Sequence, residues 1–95
     1  MSIPHFIVHD QADTVGVIVV EGVQGDMELD GWVMENNSRI KVVAMSDIPL
    51  GHKIALDEIK AGDTIIKYGH DIGKAVDDIA TGGHAHVHNI KTKKW

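Results

Sequence analysis

Val15-Gly16-Val17-Ile18-Val19-Val20-Glu21, followed at once by Gly22, decides how this chain is read. Five of the seven residues are β-branched, which lose rotamer freedom in a helix and pack well on a pleated sheet. The apolar run is not broken by polar alternation, so the strand is expected to be buried on both faces for part of its length. Glycines on either side of the run mark it as short. It is also far too short to span a bilayer as a helix.

Working outward, the same grammar repeats. Upstream, residues 3–8 carry Phe6, Ile7 and Val8 between His5 and His9 and read as a first strand, and 9–13 is polar and turn-like. Downstream, Met27-Glu28-Leu29-Asp30 alternates apolar and acidic. Gly31 then interrupts before Trp32-Val33-Met34, which signals a bulge or a close backbone approach. Trp32 is expected in the core. Glu35-Asn36-Asn37-Ser38 has the composition of a hairpin turn, and residues 39–45 return as a strand. Pro49 and Gly51 force a loop, and Ile54-Ala55-Leu56 re-enters apolar structure. Residues 57–62 look like one helical turn, with Asp57 at the N-cap and Gly62 at the C-terminal left-handed position. Thr64-Ile65-Ile66-Lys67-Tyr68 is another strand, with Tyr68 toward the core and Lys67 toward solvent or a site. His70-Asp71-Ile72-Gly73 reads as a turn, 74–76 as a short extended piece, and 77–80 as a second helical turn. About seven short strands with glycine punctuation mark an all-β barrel or sandwich. No internal repeat, low-complexity segment or linker stands out, so residues 1–95 are read as one domain.

Composition narrows the function. Fourteen acidic and nine basic residues give a formal charge of −5, and charges of both signs are spread along the chain. A nucleic-acid groove needs a basic stripe and is not expected. The one basic cluster is Lys91, Lys93 and Lys94, beside the terminal Trp95, an aromatic costly to leave exposed. Without cysteine, disulfides and thiolate metal sites are excluded. No signal peptide or membrane segment is read, so a cytoplasmic location is the default expectation. No nucleophile elbow, phosphate loop or dinucleotide fingerprint is present.

Chemistry concentrates near the C-terminus, in Gly82-Gly83-His84-Ala85-His86-Val87-His88-Asn89. In an extended strand His84, His86 and His88 share one face. Imidazoles so spaced suit a metal or an acid–base site. The pattern equally suits a solvated edge strand that uses histidines as neutral polar residues. Gly51-His52-Lys53 could present a proton shuttle and a compact cation to an anionic substrate, or simply be solvated. His70-Asp71 is a weaker candidate, because adjacent residues seldom face each other.

Taken in order, Gly51-His52-Lys53-Ile54-Ala55-Leu56, residues 59–69 (Ile59 to Gly69), Ile72-Gly73 and His86-Val87-His88-Asn89 resemble the small SAF-type domain of altronate and galactarate dehydratases. In that family the domain is the N-terminal part of a long chain or a separate small subunit, as in sulfolactate sulfo-lyases. The ending Lys91-Thr92-Lys93-Lys94-Trp95 looks most like the separate subunits. The resemblance implies a β-clip fold of folded-over hairpins. It implies β-elimination from a 2-hydroxy carboxylic acid, with water or sulfite leaving. It implies a divalent metal, Fe2+ first and Mn2+ or Zn2+ as alternatives, with His86 and His88 as ligands and His84 beside them. His52 and Lys53 are the catalytic candidates. A large lyase subunit is the expected partner and would hold most of the machinery. Self-association into a homo-oligomer stays open. SAF-type domains also occur in sialic acid synthases, antifreeze proteins and pilus-assembly proteins. The competing reading is therefore a non-catalytic module that binds a carbohydrate or acid, or serves assembly.

Overall fold

β-branched runs and glycine turns build the whole fold, and the computed structural model describes residues 3–67, 70–86 and 88–91. Among them are nine strands and no helix: β1 (Phe6–Val8), β2 (Val15–Ile18), β3 (Glu28–Val33), β4 (Ser38–Val43), β5 (Lys53–Ala55), β6 (Thr64–Lys67), β7 (His70–Ala75), β8 (His84–Ala85) and β9 (Ile90–Lys91). They form a six-stranded sheet in the order β4-β3-β1-β2-β5-β8 and a three-stranded sheet in the order β6-β7-β9. The all-β expectation holds. No helix here is long and apolar enough to cross a membrane.

Two apolar cores lie on either side of the β2–β5 pair. Phe6, Ile18, Leu29, Ala44, Ile48 and Ile54 belong to the first. Val15, Ala55, Ile59, Ile65, Ile79 and Ala85 belong to the second. β2 therefore sends Ile18 one way and Val15 the other, and β5 does the same with Ile54 and Ala55. A strand that sends side chains into two cores has little call for polar alternation, and this accounts for Val15–Ile18; Val19 beyond it is exposed.

Gly31 is a site of close approach and not a bulge. It pairs in register with Phe6 on one side and Ile40 on the other, and a Cβ there would overlap the Phe6 ring. Trp32 is not in the core. Leu29, Gly31 and Val33 take the buried face of β3, which leaves Trp32 half-buried on the outer face. There its indole N–H donates to Asn37 Oδ1 at 3.0 Å, a partner an indole needs when only partly wet.

The expected helical turns at 57–62 and 77–80 do not form; a bend and a β-bridge lead instead into β-turns at 60–63 and 80–83, and these belong to an internal repeat. Val23, Ile48, Ile59 and Ile79 each lead into a turn closed by an i to i+3 hydrogen bond. The donors and acceptors are Met27 N to Gln24 O, His52 N to Pro49 O, Asp63 N to Lys60 O, and Gly83 N to Ala80 O. The third turn residue has positive φ each time: Asp26 72°, Gly51 85°, Gly62 92° and Gly82 84°. That is the conformation a type II turn demands there. The turns bridge in pairs, Val23 with Ile48 and Ile59 with Ile79. In each pair the aspartate before the second bridge residue caps an amide of the first turn: Asp47 Oδ1 accepts from Gly25 N, and Asp78 Oδ1 from Ala61 N. The chain is thus two similar halves. Gly62 was read as a helix C-cap because a helix end and a type II turn both call for a positive φ, and Asp57 accepts from Glu58 N instead of capping a helix.

His70-Asp71-Ile72-Gly73 is likewise not a turn but the first part of β7, paired with β6 across a register shift between Ile65 and Ile66. The expectations for Tyr68, Lys93, Lys94 and Trp95 lie outside the described residues.

Candidate active site: a four-histidine patch

The site grows out of the β5–β8 register. Lys53 pairs with Ala85 and Ile54 with His84. Continuing that antiparallel count sets His52 opposite His86, and their rings stack with centroids 3.7 Å apart and planes 19° from parallel. His84 lies diagonally from His52, within reach for an imidazole, and His52 Nδ1 meets His84 Nε2 at 2.7 Å. One of these nitrogens donates and the other accepts, so the contact fixes a matched pair of tautomers.

The extended His84–His88 strand does not form. β8 covers only His84–Ala85, and the chain then turns, with Asn89 N and Ile90 N both donating to His86 O at 3.0 Å. The turn still brings His88 back, and its ring lies 4.9 Å from that of His84. His52, His84, His86 and His88 therefore gather in one patch, held by a turn and a cross-strand pair and not by the period of one strand.

Asn89 holds this turn together. It is 7% exposed. Its Oδ1 accepts from His86 N at 2.9 Å and its Nδ2 donates to His84 O at 2.8 Å. Ala55 N donates to Gly83 O, so by the antiparallel alternation the N–H and C=O of His84 point away from β5. Asn89 supplies the partner that the strand edge lacks. The sequence named Asn89 only as the residue following the histidines. The signal for its role was an amide placed where a short strand runs into a turn.

Burial and neighbouring positive charge both disfavour protonation of the inner rings, His84 and His86. Burial lowers the His84 pKa, and the neighbouring His52, His88, His86 and Lys53 lower it further. His86 is lowered by burial first, then by His52, Lys53 and His88. His86 Nδ1 is buried and has no hydrogen-bond partner among the described residues, an arrangement that calls for a proton donor or an electrophile. By strand alternation Lys53 leaves β5 on the side of Ala55, yet its charge still reaches His84 and His86. Its pKa is lowered by burial and then by the charge of Lys67. Lys67, read as facing solvent or a site, thus belongs to the surroundings of Lys53.

Three other histidines are not part of the patch. His5 Nδ1 accepts from Asp30 N at 2.9 Å and ties β1 to β3. His9 is exposed in the 9–13 loop and His70 at the start of β7. The weak His70-Asp71 candidate gains no support, since Asp71 Oδ1 caps Gly73 N.

A divalent metal fits this donor set by chemistry. Neutral imidazole nitrogens are borderline-soft ligands for iron, manganese and zinc, and His86 Nδ1 meets no competing hydrogen bond among the described residues. The set is incomplete by geometry. Among the described residues no three His, Asp or Glu side chains form a metal-holding group. His52 and His86 run side by side, whereas an ion lies in the plane of each ring that binds it. A metal at this patch would take further ligands from outside the described residues.

Residues 4–93 match the family model of the altronate/galactarate dehydratase SAF domain. The chain belongs to this family. It is 48% identical over 90 residues to the (2R)-sulfolactate sulfo-lyase subunit alpha of Chromohalobacter salexigens, covering 95% of this chain and 96% of that one. The subunit alpha of Paracoccus pantotrophus is 57% identical over 63 residues, 66% of this chain and 94% of its own. The altronate dehydratase of Bacillus subtilis is 53% identical over 53 residues, 56% of this SAF-domain chain but 11% of the dehydratase. The named relatives are lyases, and the size of this SAF-domain chain is that of the sulfo-lyase small subunit.

Proposed function

We propose that this chain is the small subunit of a lyase that performs β-elimination on a 2-hydroxy acid, working with a large companion subunit in the cytoplasm. The observation that carries the reading is the four-imidazole patch next to a half-buried lysine, in a chain that matches a sulfo-lyase subunit nearly end to end. That match favours sulfolactate over altronate or galactarate as substrate.

The reaction removes the proton from the carbon beside the carboxylate and expels sulfite or water from the next carbon, leaving an enol that becomes a 2-oxo acid. A base near neutral pH must take that proton. His52 is poised for this, because its contact with His84 fixes the tautomer. Lys53, with its lowered pKa, serves as acid or as the cation that holds a substrate anion. His86, His88 and His84 are the residues that would hold a divalent metal, Fe2+ first, then Mn2+ or Zn2+. When bound, such a metal supplies Lewis-acid stabilisation of the developing enediolate.

The test is co-expression with the large dehydratase-like chain of the same genome, followed by assay against sulfolactate, altronate and galactarate. Elimination should require both chains, because a domain of this size cannot enclose a substrate and exclude water unaided. Turnover by the purified small chain, or none with any of the three acids, would count against the reading. His86→Ala and His88→Ala should each lower the metal content of the complex while leaving the β fold intact, as checked by metal analysis and circular dichroism.

A further inference from the structure

Exposed apolar side chains cluster around the histidine patch. Among the described residues the large exposed hydrophobics are Ile3, Val19, Met34, Val43, Met45 and Leu50. Single exposed apolar residues are ordinary, but a contiguous set marks an interface. Three of the six fall within residues 43–50, and the patch bounds that segment at both ends. At one end Met45 N donates to Gly82 O, and the Met45 side chain lies over the Gly82 Cα, two residues before His84. At the other end Leu50 precedes Gly51-His52 in the turn. Val19 stands beside the same turn, since Gly51 N donates to Ile18 O and Ile18 N to His52 O. Met45 and Leu50, 62% and 51% exposed, are the most open of these.

Away from Val43, the rest of β4 is built differently. β4 carries Arg39 and Lys41, paired with Asp30 and Glu28 across β3, and charges on an edge strand discourage association. The β8 edge is closed by Asn89, so docking there proceeds through side chains and not by adding a strand.

We infer that Met45 and Leu50, bordered by Val19 and Val43, form the seat of the large lyase chain. The inference rests on the proposed function and names the surface that reading requires. Two observations identify the occupant. In the Bacillus altronate dehydratase the matching segment is 11% of the polypeptide, so roughly nine-tenths of that enzyme is chain to which such a domain is joined. Here the histidine patch holds no complete metal-ligand group among the described residues. A chain that completes the site must therefore cover the rings, and the apolar border is covered with them.

The experiment measures binding between this chain and the co-expressed large chain by calorimetry, with thermal melts as a fold check. The double variant Met45→Glu/Leu50→Glu should weaken binding by about thirtyfold or more, the scale of losing a buried hot spot. Met34→Glu, on another exposed methionine but at the β3–β4 turn, should bind as the wild type does. The milder Met45→Gln/Leu50→Gln pair repeats the test should the glutamates disturb the fold. Wild-type binding that neither pair changes overturns the seat while leaving the proposed function standing. A wild type that never binds the large chain overturns both. Loss of self-association in the variants, with large-chain binding unchanged, would assign the surface to a second copy and also overturn the seat.

Discussion

Replacing Asn89 by alanine tests whether one amide holds the histidine patch in shape. The substitution removes two hydrogen bonds, from His86 N to Oδ1 and from Nδ2 to His84 O. Each leaves a backbone group that has no alternative partner along the sheet edge. A buried group stranded this way costs about 1–3 kcal/mol. Water entering the small void left by the amide offsets part of that cost, so the sum should lie near the lower end, at about 2 kcal/mol. For a domain of this length each kcal/mol moves the melting midpoint by about 4–8 °C, which sets the expected drop at about 8–16 °C. Stability alone would not establish a positioning role, so the second readout is the imidazole ring signals in NMR spectra. Those of His84 and His86 should move, because the turn that sets their rings is released, while that of His5 on β1 should not. Asn89→Asp keeps the acceptor for His86 N but loses the donor for His84 O. It should therefore fail to rescue at neutral pH and recover in part only when protonated. A stability change below about 0.5 kcal/mol, or a destabilised Asn89→Ala with unmoved His84 and His86 signals, would refute the reasoning.

Gly31→Ala should be strongly destabilising, by about 1–3 kcal/mol or more, because the new Cβ overlaps the Phe6 ring in a packed core; denaturant midpoints would show it. Gly82→Ala should behave similarly, since it combines a positive φ with a clash against the Val43 carbonyl. Asp26→Gly should raise stability by about 0.5–1 kcal/mol, for Asp26 holds the positive-φ position that glycine takes in the three sister turns; an unchanged melting midpoint would count against the repeat as a set of equivalent turns. The lowered pKa values of His84 and His86 set a pH dependence. Below the ordinary imidazole value of about 6.5 the unfolded chain takes up protons that the folded chain resists, so stability is full above that pH and falls as pH drops below it. His86→Gln should flatten the curve of melting midpoint against pH, and a curve unchanged by the substitution would argue that the ring is not desolvated.

The all-β architecture was legible because it is written locally, in β-branched runs and glycines. The strand between two cores showed itself in the apolar stretch at 15–18, while Val19 beyond it is exposed. What was not legible was non-local. The sister turns begin at Val23, Ile48, Ile59 and Ile79, and this unequal spacing hides the repeat from any fixed-period search. The first copy hides it further, with Asp26 where the others have glycine. The three clustered histidines were found, but on an argument that half failed. Period-two alternation requires a strand through His88, and β8 stops at Ala85. His52 and Lys53 were named as a loop pair. That His52 stacks on a ring thirty-four positions away follows only from the β5–β8 register, which no local pattern encodes. Trp32 was misplaced because tryptophan favours cores on average, while its position on β3 was already assigned by the alternation of Leu29, Gly31 and Val33.

The two halves explain why the histidines gather where they do. In each half the second turn is pinned to a strand by a reciprocal pair of bonds. Gly51 N and Ile18 N bond across to Ile18 O and His52 O, and Gly82 N and Ala55 N bond across to Ala55 O and Gly83 O. β5 is the strand that leaves the first of these turns and also the strand on which the second is pinned. It sends Ile54 into one core and Ala55 into the other, so its position is over-determined from both sides. His52 sits where β5 begins, in the place that Gly83 takes in the second half, and His84 is the next residue on. The rings thus stand at the junction of the duplicated units, the place in so small a domain with support from two cores. A reacting constellation must be held within about 0.5 Å of its working geometry. The β5–β8 junction can hold four rings at fixed spacing.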